Sequence, residues 1–173
     1  MNMNASQETS RSHHLLRALF LKLLFLLAVT GNTRAICTER ERLALLSFKK
    51  GLVDFDDTLP SWKYTNLDCC RWRGVTCDNQ TAHIINSSNG LSTWVLLWGE
   101  IGSSLLELQY LNHLDLCYNS FPDILDFIGS LKELSYLDLS SNCFTRIPES
   151  IGSVAKLEYL NLSSNILNGT IPY

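Results

Sequence analysis

Two kinds of side chain in this sequence have the chemistry to do more than pack: cysteine thiols, and carboxylates with histidines near them. The thiols are the more informative, because the stretch CCRWRGVTC, residues 69 to 77, sets Cys69 beside Cys70. Two adjacent cysteines do not bond to each other comfortably. Their Cα atoms are about 3.8 Å apart across a trans peptide, and a disulfide wants roughly 4.4 to 6.8 Å. Each must look elsewhere, and Cys37 and Cys77 are the partners at hand. The remaining residues offer little catalysis. His83 and His113 lie in no recognisable motif, and no GxSxG, HExxH or phosphate-cradling loop occurs. The expectation is a protein with no catalytic residue, no metal and no cofactor, and therefore not an enzyme.

Whether the thiols oxidise depends on compartment. Residues 1–35 open with Arg11 and Arg17, continue through LLRALFLKLLFLLAV and close on Thr33-Arg34-Ala35, a small-x-small ending. That pattern is a secretory signal peptide cleaved after Ala35. The apolar stretch from Leu15 to Val29 is 15 residues long and broken by Arg17 and Lys22, short of the roughly 20 that span a bilayer. Cleavage would leave 10 Lys+Arg against 16 Asp+Glu, a formal charge of −6. That balance argues against a nucleic-acid partner. In an oxidising compartment Cys37, Cys69, Cys70 and Cys77 read as two disulfides, and no CxxC spacing supports zinc. The adjacency argument leaves two connectivities; Cys37–Cys69 with Cys70–Cys77 is the one favoured here. Cys117 and Cys143 stand 26 residues apart, out of phase with the repeat described below, and are expected not to pair.

Between the first two cysteines, TERERLALLSFKKGL has Thr38 three residues before Glu41, a capping-box spacing. Leu45, Phe48 and Leu52 recur on one face, so the stretch predicts an amphipathic helix ended at Gly51. Trp62 and Trp72 are expected in the core of this cap. Farther on, LNHLDLCYNSF, LSYLDLSSNCF and LEYLNLSSNIL begin at Leu111, Leu134 and Leu157, each 23 residues after the last. Their common LxxLxLxxNxL is the leucine-rich-repeat signature, and such a period means a solenoid. Alternation around Leu137 and Leu139 predicts a short parallel strand with leucines inward. Asn119, Asn142 and Asn165 stand where the chain leaves the strand and must bond the backbone as it bends.

The tail LNGTIP, the closing LWGEI, and a front end of cysteine, helix, LPSW and CCxWxGVxC together resemble plant leucine-rich-repeat receptors and polygalacturonase inhibitors. CDNQT, GEIGSSLLELQYLNHLDL and FIGSLKELSYLDLSSN are similar to receptor-like proteins of the type that perceives fungal xylanase elicitors. The resemblance covers residues 37–173 and implies the cysteine order Cys37–Cys69, Cys70–Cys77. The fold class expected is α/β: a leucine-rich-repeat solenoid behind a disulfide-stapled helical N-terminal cap. Its parts are a signal peptide (1–35), the cysteine-rich cap (36–78) and the repeats (79–173), which comprise one degenerate coil and then coils from about 108, 131 and 154. In the degenerate coil, Asn86 is expected where an inward leucine belongs, with Asn89 and Leu91 as the asparagine and closing leucine. No C-terminal cap precedes Tyr173, so the sequence reads as the N-terminal portion of a longer receptor or a truncated product.

In the repeats the outward strand positions align in columns. His113, Tyr136 and Tyr159 form one; Asp115, Asp138 and Asn161 the next; then Cys117, Ser140 and Ser163; then Tyr118, Ser141 and Ser164. Tyrosines and carboxylates on a concave sheet suit a protein or peptide ligand, so His113, Asp115, Tyr118, Tyr136, Asp138 and Tyr159 are the candidate ligand-binding residues. Asp115 and Asp138 should lie about 4.8 Å apart on neighbouring strands, as members of a solvent-open column rather than a catalytic pair. Sequons at Asn79, Asn86, Asn161 and Asn168 are candidate glycan sites in a secreted chain. The function the resemblance implies is an extracellular recognition module that binds a protein or peptide ligand of the microbial elicitor class and signals through a co-receptor kinase, either secreted or held at the cell surface. Two alternatives stand beside it: a secreted polygalacturonase-inhibitor-like protein, and a non-functional truncated product.

Overall fold

The structure, a computed structural model, describes residues 36–88, 97–123 and 126–168, all within the unit Ala35–Tyr173. The signal-peptide reading of residues 1–35 lies outside these, as do Asn89 and Leu91. The first element is α1, Glu39–Lys50. Its capping box is present in both directions, Thr38 accepting from the Glu41 amide and Glu41 accepting from the Thr38 amide. Acidic residues in its first turn and lysines in its last complement the helix dipole. Ala44, Leu45, Leu46 and Phe48 are buried. Leu52, expected on the same stripe, instead begins strand β1 (Leu52–Val53), because the helix stops at Gly51.

Phe48 packs on Trp62 at 6.4 Å and Trp62 on Trp72 at 5.6 Å between ring centroids, forming the cap core. Such pairs contribute about 0.5 to 1.5 kcal/mol each beyond their burial. The indole N–H of Trp62 donates to the Arg73 carbonyl at 2.9 Å, so the larger ring is buried without losing its polar bond. Disulfides join Cys37 to Cys69 and Cys70 to Cys77, which is the favoured pairing. In the chain-entropy model these closures of about 33 and 8 residues contribute roughly 3.7 and 2.5 kcal/mol. Cys117 and Cys143 take part in no disulfide.

Strand β2 (Val75–Cys77) pairs antiparallel with β3 (Ile84–Ser88), which turns the cap into the solenoid. β1 is tied to the first coil by antiparallel pairing with β4 (Trp98–Gly99). Gly99 adopts φ +131°, and a Cβ there would sit 2.2 Å from the Gly51 carbonyl, so only glycine permits this approach. From β3 the sheet continues in parallel through β5 (His113–Asp115), β6 (Tyr136–Asp138) and β7 (Tyr159–Asn161). On the opposite side the chain returns through 3₁₀ turns, Ser103–Glu107, Asp126–Ser130 and Glu149–Ser153, not through α-helices. Leu114, Leu137, Phe121 and Phe144 fill the interior at 1% exposure or less. In β7, by contrast, Leu160 is 41% exposed.

The asparagines hold successive coils together. After each strand the backbone passes through the left-handed region at Tyr118, Ser141 and Ser164, with φ of 53° to 56°. The asparagine that follows then turns its side chain inward. Asn142 donates through Nδ2 to the carbonyls of Leu116, Leu139 and Ser140, and its Oδ1 accepts from the Phe121 amide. Asn119 and Asn165 accept likewise from Leu97 and Phe144. A short side chain thus satisfies backbone groups that the bend removes from any ladder.

The first coil departs from expectation. Asn86 pairs with His113 and Ser87 with Leu114, so Ser87, buried to 4% exposure, holds the inward place and Asn86 stands in an outward column. The register is set by Ile84, fully buried, and by its amide, which donates to Glu41 Oε1 at 3.0 Å. Ile84 and Ser87 thereby repeat the three-residue spacing of Leu111 and Leu114. Leu97 takes a closing position, since its amide bonds to Asn119 as those of Phe121 and Phe144 bond to Asn142 and Asn165.

Candidate recognition face

Successive β-strand residues alternate faces, so each three-residue strand turns two side chains outward and one leucine in. In-register pairing of β5, β6 and β7 aligns these outward pairs. His113, Tyr136 and Tyr159 become a stack, with ring centroids 4.0 and 4.3 Å apart and planes within 5° and 3° of parallel. Those distances are below the usual strand spacing of about 4.8 Å, so the rings lean onto one another. Stacking covers both faces of Tyr136 and one face each of His113 and Tyr159, and the ring edges remain for a ligand. Asn86 heads the same column; its Oδ1 is enclosed and makes no hydrogen bond among the described residues.

The second column differs from the solvent-open ladder expected. Asp138 is only 7% exposed. Its Oδ1 accepts from the Ser140 amide at 2.9 Å and hydroxyl at 2.6 Å, and its Oδ2 accepts from Asn161 Nδ2 at 3.0 Å. Those bonds fold the next residues over the carboxylate and cover it. Asp115, half-buried, accepts from the Cys117 amide at 3.0 Å, and Asn161 accepts from the Ser163 amide and hydroxyl. The column is therefore a series of side-chain-capped turns as well as a surface. Tyr118 is 55% exposed and follows its strand outside the stack.

The negative charge of this face shows in its neighbours. The Cys117 thiol is pushed up to about 12 by burial first, then by its hydrogen bond to Asp115 and the charges of Asp115 and Asp138. Tyr136 is likewise raised to about 12, by burial, by its bond to Tyr159 and by the charges of Tyr159, Asp138 and Asp115. Oxygens of Asp115 and Asp138 and the sulfur of Cys117 lie within 4.8 Å of one another, the separation of donors around a metal. The donor set fits a cation poorly, because a metal takes thiolate and this thiol stays protonated, while both Asp138 oxygens are already bonded. Among the described residues this is the one group of that kind.

Of the sequon asparagines, Asn79 and Asn168 are exposed, whereas Asn86 and Asn161 are half-buried on strands β3 and β7. Sequence reasoning missed two residues that the fold uses. His83, which stands in no recognisable motif, lies 3.1 Å from the buried Glu41 carboxylate and stacks on Tyr110 at 4.1 Å. Glu41, read only as a helix cap, also anchors β3 through the Ile84 amide. Nothing local in sequence links positions 41 and 83.

Comparison with known proteins agrees with this architecture. Residues 38–78 match the leucine rich repeat N-terminal domain and residues 109–167 the leucine rich repeat. Receptor-like protein EIX1 of Solanum lycopersicum is 41% identical over 131 residues, covering 68% of this chain and 12% of that protein. The BIR2 ectodomain from Arabidopsis thaliana superposes with a TM-score of 0.70 at 31% identity, over 80% of this chain and 73% of that one. The Arabidopsis receptor kinase HAESA, in complex with the peptide hormone IDA and the co-receptor SERK1, gives a TM-score of 0.55 at 31% identity, over 78% of this chain and 27% of that one. The matched stretch is thus a small part of the curated relative's length. Among the described residues no helix is long and apolar enough to cross a membrane. With a disulfide-stapled cap and coils that match the two leucine-rich-repeat families, and with 41% identity to a plant receptor-like protein, the chain belongs to the plant leucine-rich-repeat receptor-like proteins.

Proposed function

We propose that the chain is an extracellular recognition module of a plant immune receptor-like protein, and that it binds a protein or peptide ligand on its parallel sheet. In this reading it is secreted through residues 1–35 and acts at the cell surface, signalling through a partner kinase. The ligand surface is His113, Tyr136, Tyr159 and Asp115, with Tyr118 at its rim and Asp138 supporting it from beneath. The observation that carries the reading is the ordered aromatic stack on that sheet. Aromatic side chains concentrate binding energy at interfaces, and rings already fixed by stacking lose little entropy when a ligand arrives. The HAESA complex supports a peptide and a co-receptor as the partner classes. Glycans at Asn79 and Asn168 would leave the stack open, since both residues are exposed and off the strands.

The test is proximity labelling in leaf tissue, with the full chain carrying the label and Tyr136→Ala beside it. Recovery of a membrane kinase that depends on an added microbial extract, and is lost in Tyr136→Ala, is the expected result. Recovery of a wall hydrolase inhibited by the purified chain would replace the receptor reading with an inhibitor.

A further inference from the structure

We infer that the stretch of ligand received by this sheet is basic: a lysine or arginine side chain lies across the edges of the His113–Tyr136–Tyr159 stack and places its cationic head on Asp115. The inference rests on the proposed ligand surface and adds its chemistry. The outward residues of β3, β5, β6 and β7 include two aspartates and no lysine or arginine. The ion pairs among the described residues all lie elsewhere, as in Arg40 with Glu107, Arg146 with Asp126 and Lys156 with Glu133. Asp138 is a nearly buried carboxylate whose donors among the described residues, Ser140 and Asn161, are neutral. An uncompensated charge of this kind projects its field outward through a low-dielectric wall.

Burial first, and then the same carboxylates, raise the thiol of Cys117 and the hydroxyl of Tyr136. Asp115, half-buried and so still wet, is the carboxylate that a ligand cation reaches. Strand geometry sets it about 7 Å along from the aromatic column, the span of a lysine or arginine stem. Tyr136, stacked on both faces, presents its edge, which packs against that aliphatic stem while the carboxylate takes the charge.

The experiment uses the full chain produced through a eukaryotic secretory pathway and a phage-displayed library of random dodecapeptides. Selected peptides are then measured against Asp115→Asn, Tyr136→Ala and Asp123→Asn, the last an exposed carboxylate off this face. Asn is tolerated in the column, since Asn161 occupies it natively and accepts the same turn bonds. The expected result is enrichment of Lys and Arg, with affinity falling about fivefold in Asp115→Asn and unchanged in Asp123→Asn. Equal losses in the two aspartate variants would mean nonspecific attraction to an acidic protein and would overturn the inference. Neutral or acidic peptides that still need Tyr136 would overturn the charge assignment but leave the ligand surface standing. Peptides indifferent to both Tyr136 and Asp115 would sink the surface as well. Binding abolished by EDTA would assign the aspartates to a metal and overturn the inference.

Discussion

Asn142→Leu separates what holds the coils together from what merely fills them. The two side chains share a branched four-atom outline, so the substitution removes the hydrogen bonds, and its bulkier methyls add a packing penalty because they cannot approach the carbonyls as closely as the amide does. Three carbonyls lose a donor, but each keeps another: Leu116 from Asn119, Leu139 from Asn165, and Ser140 from the Tyr118 amide. The Phe121 amide loses its acceptor outright, beside a side chain that is 0% exposed. Orphaning one buried donor costs about 1 to 3 kcal/mol, and two net hydrogen bonds lost at the carbonyls cost about 1 kcal/mol each. The sum is about 3 to 5 kcal/mol, a large part of a small domain's typical stability of about 5 to 15. Asn165 makes the same set of bonds, but it is half-buried and water can replace part of them, so Asn165→Leu should cost only about 1 to 2 kcal/mol. Urea denaturation of the full chain followed by tryptophan fluorescence reads both, the midpoint falling by roughly 1 to 2 M for Asn142→Leu with an unchanged slope. If Asn142→Leu cost under about 1 kcal/mol, or no more than Asn165→Leu, the claim that buried backbone satisfaction governs inter-coil stability would be wrong.

Other outcomes follow from single contacts. Glu41→Ala orphans the Ile84 amide and removes the capping box, and should destabilise by about 2 to 4 kcal/mol, whereas Glu41→Gln, which keeps an acceptor, should cost less than half of that; thermal unfolding compares them. Iodoacetamide at mildly alkaline pH should alkylate the exposed Cys143 while leaving Cys117 thiol intact in the native chain, because burial and neighbouring carboxylates hold Cys117 near 12; modification of both at similar rates would refute that environment. Asp54 is pulled in two directions: burial raises its carboxyl, but bonds from Thr58 and Leu59 and the charge of Lys49 prevail and lower it. A depressed carboxyl stabilises the fold above its ordinary range and loses that contribution as pH falls through the folded-state value. The stability gap between the parent chain and Asp54→Asn should therefore close on acidification below the usual carboxylate range, and a gap that persists in strong acid would contradict the assignment.

The sequence by itself determined everything that repeats or is local. A 23-residue period of leucines and asparagines leaves one solution for burying an apolar stripe, so strands, inward leucines and inter-coil asparagines were legible from spacing alone. Thr38 with Glu41 announced the helix start, because a capping box closes within four residues. The candidate columns on the sheet were legible for the same reason, as a fixed register converts period into alignment. What only the tertiary structure decided lies where the repeat is broken or where partners are far apart in the chain. The first coil's register came from Glu41 and the buried Ile84, 43 residues apart, so Asn86 faces outward and Ser87 inward. The burial of Asp138 came from Ser140 and Asn161 closing over it, which a pattern of outward positions does not contain. Periodicity names the face a residue belongs to; how much water reaches it depends on which side chains from the next coil lean across, and that is a matter of packing.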